Sequence, residues 1–281
     1  MEKAILWDEH LNEQFVKVSN EKLNLFLELL SYIGDNNISN TMSLDLYDNS
    51  DLWEWLTSKE PSSLRDIKKE LLIKISKTKR VLRQEYINIV ANVGNLNKDK
   101  ILILEFSNKS VYYISTMDEY YIGLRSYLAM EKKDDFCKDM LECFPNIWFD
   151  ENIASSINSL NRDFEELREE IVEHLTKIND YHSKFTYLLS QSKSNQDISQ
   201  AFHAETGIEC SPQAGREGVQ VLKMSCFNEL SKQTEVVKCE LHTKFKRFNI
   251  DRTKQDRIYF FPGKPGIKQG KIIVKHIGKH L

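Results

Sequence analysis

Ile157, Phe164, Ile171, Ile178 and Phe185 lie seven residues apart, with Leu160, Leu167, His174, Tyr181 and Leu188 at the intervening heptad position. No other pattern in the chain restricts its folding as strongly. Apolar side chains at that spacing form one stripe along an α-helix, and the stripe must be buried against a partner surface. The spacing predicts one long amphipathic helix over 153–189. Val172, Leu175 and Leu189 widen the stripe beyond a strict coiled-coil seam, which favours a bundle within the chain. A homodimer through 153–189 is the alternative. His174 sits on the seam and is expected to be a core histidine rather than a ligand.

The polar run Ser190-Gln191-Ser192-Lys193-Ser194-Asn195-Gln196 ends this stripe and marks a domain boundary. Upstream, Leu23, Phe26, Leu27, Leu30 and Ile33 define one helix face. Leu64, Ile67, Leu71, Ile75 and Leu82 define another, after Pro61-Ser62-Ser63. Residues 1–95 are therefore expected to be mainly helical. Lys74, Lys77, Lys79, Arg80 and Arg83 form a basic patch that reads chiefly as a solvated helix face. Ile101–Phe106 and Val111–Ile114, separated by Ser107-Asn108-Lys109-Ser110, predict a small hairpin within 100–116. Downstream of the boundary, a short helix near Asp197–Thr206 precedes strand-like runs at Glu235–Phe245, Arg257–Phe261 and Lys271–Ile277, with turn-prone Gly215, Gly218 and Pro262–Gly270 between or before them. The predicted fold is α+β: a helical region over 1–190, regulatory or dimerising, followed by a small antiparallel β-rich domain over 197–281.

Charge divides the chain unevenly. Residues 238–281 hold 12 Lys/Arg against 3 Asp/Glu, whereas the preceding 237 residues hold 27 against 39. A basic module on an acidic body points to a polyanionic partner, above all nucleic acid. Five scattered cysteines, Cys137, Cys143, Cys210, Cys226 and Cys239, suggest reduced thiols in a cytoplasmic protein rather than a disulfide framework. The acidic start is unlike a signal peptide, and no apolar run reaches the roughly 20 residues needed to cross a bilayer, so no membrane partner is expected.

The basic segment also holds the chemistry. In 236–245, Glu240, His242 and Lys244 alternate with Cys239, Leu241 and Thr243, so a strand would place the three polar groups on one face. Arg257 and Tyr259 from the next strand, and His276 or His280 from the last, would join them. This inventory suits metal-independent RNA cleavage. Glu240 or His242 would take the 2′-hydroxyl proton, Lys244 and Arg257 would stabilise charge on phosphorus, and a histidine or Tyr259 would protonate the leaving oxygen. The competing reading is an ordinary solvated sheet face. A metal set drawn from Cys239, Glu240, His242, His276 and His280 matches no closed zinc spacing, and no cofactor is expected. Gly263-Lys264-Pro265-Gly266 is a turn rather than a phosphate loop.

The stretch Asp256-Arg257-Ile258-Tyr259-Phe260-Phe261, followed by Gly270–Leu281, resembles the closing strands of RelE/ParE-type toxins, which are small basic ribonucleases. The resemblance spans at most residues 215–281. It implies that Arg257 is a phosphate ligand, that Tyr259 stands beside the active face, and that Lys279 and His280 form a basic end. It also implies a bacterial toxin or anti-phage defence effector, held in check by its acidic body or by an inhibitory partner protein. The paired helices that precede the sheet in those toxins have no clear counterpart, and Glu240-Leu241-His242-Thr243-Lys244 matches none of their motifs. The alternatives are a non-catalytic nucleic-acid-binding module and a protein-interaction component.

Overall fold

The computed structural model describes residues 3–15, 17–59, 62–95, 100–106, 110–213, 222–246 and 254–281, in two compact units divided between Tyr127 and Leu128. The turn residues Ser107–Lys109, together with Gly215 and Gly218, lie outside the described residues.

The first unit is not the helical region expected. It is built on five parallel strands: β1 (Lys3–Trp7), β2 (Ser39–Ser43), β3 (Lys79–Val81), β4 (Lys100–Leu104) and β5 (Tyr113–Ile114). Their order is β3-β2-β1-β4-β5, with helices between strands. Every residue of β4 is buried, as in a strand covered on both faces. The expected hairpin is instead a parallel pair, Ile103 opposite Tyr113 and Leu104 opposite Ile114. The helix α2 (Asn20–Asp35) buries the face its sequence marked, Leu23, Phe26, Leu27, Leu30 and Ile33, and Ser19 caps it by accepting from the Lys22 amide. In α5 (Ser62–Ser76) Ile67, Leu71 and Ile75 are buried, but Leu82 lies beyond the helix and is 67 % exposed. The sheet order reverses between β1 and β4, and Asp8, Glu9 and Glu105 follow those strands directly. Glu105 accepts from Gln14 Nε2 at 2.9 Å. Among the described residues, no three His, Cys, Asp or Glu side chains group as a metal-ion site.

The second unit carries a mixed five-stranded sheet. Its strands are β6 (Ile147–Phe149), β7 (Cys210–Pro212), β10 (Leu241–Lys244), β11 (Arg257–Phe261) and β12 (Ile272–Gly278), in the order β6-β12-β11-β10-β7. Only β6 runs parallel to its neighbour β12. The predicted strand 235–245 is broken. Its first part is β9 (Gln233–Lys238), which forms a separate two-stranded ribbon with β8 (Lys223–Asn228). The chain turns at Cys239-Glu240 before entering β10. The whole is therefore α/β, with a parallel sheet in one unit and a mixed sheet in the other, rather than a helical half followed by an antiparallel half.

The heptad stripe also divides. It is spread over α9 (Ile153–Ile157), α10 (Phe164–Asp180) and α11 (His182–Ser190), with the chain bending at Tyr181. The stripe is used within the unit: Ile157, Phe164, Leu167, Ile171, His174, Ile178, Phe185 and Leu188 are all buried. The rings of Phe185 and of Phe202, on α12 (Asn195–Thr206), lie tilted against Phe260 of the sheet at 5.6 and 6.5 Å. The polar run 190–196 lies inside this unit and leads into α12, whose start is a capping box between Ser194 and Asp197. The five cysteines are free. No helix among the described residues is long and apolar enough to cross a membrane.

Candidate active site

Strand alternation decides what each face of the mixed sheet shows. On β10, Leu241 and Thr243 point toward the helices, and Thr243 Oγ1 lies 3.0 Å from His174 Nδ1. His242 and Lys244 therefore point to the other face. The register sets His242 opposite Tyr259 and Lys244 opposite Arg257; the next strand adds His276 opposite Tyr259 and Gly278 opposite Arg257. Adjacent rings in the His242–Tyr259–His276 row lie 5.0 and 5.8 Å apart. Five of the seven candidate residues, His242, Lys244, Arg257, Tyr259 and His276, thus share one sheet face.

His280 joins them because the tail folds back. The His276 Nε2 lies 3.1 Å from the Lys279 carbonyl, and the Leu281 amide donates to Tyr259 Oη at 3.4 Å. Two serines near α9 secure the same segment: Ser156 Oγ accepts from the Ile277 amide at 3.0 Å and Ser159 Oγ from the Lys279 amide at 3.4 Å. These serines stand about 120 positions upstream, and nothing in their local sequence announces the role. Gly278 makes the close approach possible. A Cβ there would meet Ser159 Oγ at 2.2 Å and the Ser156 carbonyl at 2.6 Å. Gly278→Ala is therefore expected to push the tail off its seat. If the site cleaves RNA, turnover should fall about 100-fold. An NMR titration should show the His280 pKa rising toward its ordinary value as the ring leaves its cationic neighbours.

Glu240 is the residue the structure sets apart. It precedes β10, and its carboxylate accepts from Asn195 Nδ2 at 2.9 Å with Lys238 Nζ at 3.9 Å. The strand break at Cys239-Glu240 removes it from the alternation that the sequence suggested.

Electrostatics separate the remaining roles. His242 is 3 % exposed; burial first, then the Arg257 and Lys244 charges, push its pKa down to about 3, against a small opposing effect of the Glu240 backbone. It is neutral, and Arg257 Nη1 donates to its Nε2 at 3.1 Å. His276 is also held below its ordinary pKa, mainly by burial. Half-buried His280 is lowered by burial and by the nearby Arg257 and Lys244. Lys244 Nζ donates to Glu209 Oε1 at 2.5 Å. Arg257 is different: among the described residues it has no carboxylate partner, and its buried Nε has no hydrogen-bond acceptor. The neighbouring Asp256 is committed elsewhere, accepting from the Asn161 and Arg162 amides. A part-buried guanidinium with an idle donor and no carboxylate partner can receive an anion.

No protein-family model, curated protein or solved structure matches this chain.

Proposed function

We propose that the second unit is a metal-independent endoribonuclease of the toxin or defence-effector type. The observation that carries this reading is Arg257, a cation with an unoccupied donor, set beside the neutral imidazole of His280 and the ammonium of Lys244. Those groups match the needs of phosphodiester transfer within RNA. The His280 imidazole takes the proton of a ribose 2′-hydroxyl, and the freed oxygen attacks phosphorus. Arg257 donates to the phosphoryl oxygens as charge grows on them. The bond from phosphorus to the 5′-oxygen breaks, and that oxygen takes a proton from Lys244, which regains one from solvent as His280 releases its own. The products are a 2′,3′-cyclic phosphate and a 5′-hydroxyl. His242 is a positioning residue, holding the guanidinium through its Nε2. Tyr259 and His276 hold the tail that carries His280. Arg257 and His280 lie within the two stretches, Asp256–Phe261 and Gly270–Leu281, that resemble RelE/ParE-type ribonucleases.

Incubation of the full chain with single-stranded RNA in the presence of EDTA tests this directly. Cleavage leaving 2′,3′-cyclic phosphate ends, with no cleavage of the matching DNA and a loss of about 100-fold or more in His280→Ala, is the expected result. Equal cleavage of DNA, or full activity in His280→Ala, would rule the mechanism out. Salt-dependent binding without cleavage would instead point to a binding module.

A further inference from the structure

The ribbon of β8 and β9 has two unlike faces. Its inner face sets Met224, Cys226 and Val237 against Ile267, Ile273 and Phe261. Its outer face pairs Lys223 with Lys238, Ser225 with Val236 and Phe227 with Thr234, and all six are exposed. Phe227 is 56 % and Val236 61 % exposed, large apolar areas to leave in water. None of the six outward positions is acidic. Two like charges directly opposite each other on a strand pair destabilise it, so Lys223 and Lys238 oppose the ribbon's own formation, an effect that Glu240, 3.9 Å from Lys238 Nζ, offsets only in part. A polyanion laid across them would remove that repulsion.

The ribbon also lies in line with the candidate active site. Arg257, Tyr259 and Phe261 alternate along β11 and so point to one face of the sheet. Phe261 packs under the ribbon, whereas Arg257 and Tyr259 belong to the histidine cluster. Ribbon and cluster therefore occupy two ends of one face. Only Cys239, Glu240 and Leu241 separate Lys238 from His242, a span of at most ~14 Å.

We infer that the outer face of this ribbon is the substrate-docking platform for single-stranded RNA. Phe227 stacks on a base, and Lys223 and Lys238 contact the backbone phosphates leading to Arg257. An exposed aromatic for a base, with lysines further along the same face for the backbone, is how sheets grip unpaired strands without reading their sequence. The inference rests on the ribonuclease reading for its role in turnover, but the ribbon's binding can be measured without it.

The test uses the full chain carrying His280→Ala and a fluorescein-labelled, twelve-nucleotide oligouridylate, with binding followed by anisotropy. Phe227→Ala is expected to weaken binding about tenfold, and Phe227→Trp to restore it. Lys223→Ala and Lys238→Ala should each reduce the slope of log affinity against log salt by about one. With an otherwise unaltered chain, cleavage of the dinucleotide UpA, too short to reach Phe227, should be the same in Phe227→Ala. Affinity unchanged across the ribbon variants, or no binding at all, overturns the platform. If the oligonucleotide binds through Phe227 yet no RNA is cleaved, the platform stands and the reaction falls. If RNA is cleaved while ribbon variants bind normally, the platform alone falls.

Discussion

Arg257→Ala is expected to lower kcat/KM for the proposed RNA cleavage by about 10²–10³-fold, because in that reaction it removes the donor aimed at the charge that develops on phosphorus. Arg257→Lys should recover only part of this. An ammonium restores the charge but not the planar fork that bonds two phosphoryl oxygens at once. In the proposed reaction His242 has no direct place and acts through Arg257, from whose Nη1 it accepts at 3.1 Å. His242→Phe should therefore be much less damaging than Arg257→Ala, with His242→Gln partly restoring activity through its amide oxygen. The decisive comparison is the double variant. Once Arg257 is alanine, a further change at His242 should cost almost nothing, since residues acting as one unit are strongly non-additive. Additive losses would show that His242 works independently, for instance as the base. Activity unaffected by Arg257→Ala would leave the anion site without a function. Thermal melting of each variant separates loss of chemistry from loss of fold.

Acidification is the second large effect. His174 and His242 are both buried with pKa values pushed down to about 3, in each case chiefly by burial. In the unfolded chain both return to about 6.5. Between these values the unfolded state binds a proton that the folded state refuses, so stability falls as pH falls. Stability is complete above about pH 6.5, and each group removes about 1.4 kcal/mol per pH unit below it. From pH 7.5 to 5 the two together should cost about 4 kcal/mol, a large share of a domain's typical stability. Lys246 adds to the shift at His174. Glu170, whose Oε1 lies 4.0 Å from His174 Nε2, also accepts from the Lys246 amide and lies 3.7 Å from Arg162. Denaturant titrations of the full chain at pH 7.5, 6.5 and 5.0 measure the slope. His174→Gln, which cannot titrate, should flatten it by about 1.4 kcal/mol per pH unit. A pH-independent midpoint over this range would mean that both rings accept protons without disturbing the fold.

What could be read along the chain was local. The apolar spacing of α2 follows from helix geometry, which acts over a few residues. Alternation within Leu241–Lys244 and Arg257–Phe261 likewise pairs His242 with Lys244 and Arg257 with Tyr259, although only the register of the two strands puts both pairs on one face. The histidines of the tail could be listed as candidates on their chemistry alone. The parallel sheet could not be read this way. The strand β2 is Ser-Asn-Thr-Met-Ser, polar and without alternation, and becomes a strand only because β1 and β3 flank it. Tertiary structure also decided the break at Cys239-Glu240, where Val237 and Cys239 bury against Ile267 and Ile273 while Leu241 continues in another sheet. That break removes Glu240 from the site. The division of the heptad stripe into α9, α10 and α11 is of the same kind, since the stripe must follow the sheet it covers. The seat of His280, finally, depends on Ser156, Ser159 and Gly278 meeting across a sequence separation of about 120 residues. Periodicity records which face of an element is apolar, but pairing partners and close approaches are set by packing between distant segments, and no local pattern carries that information.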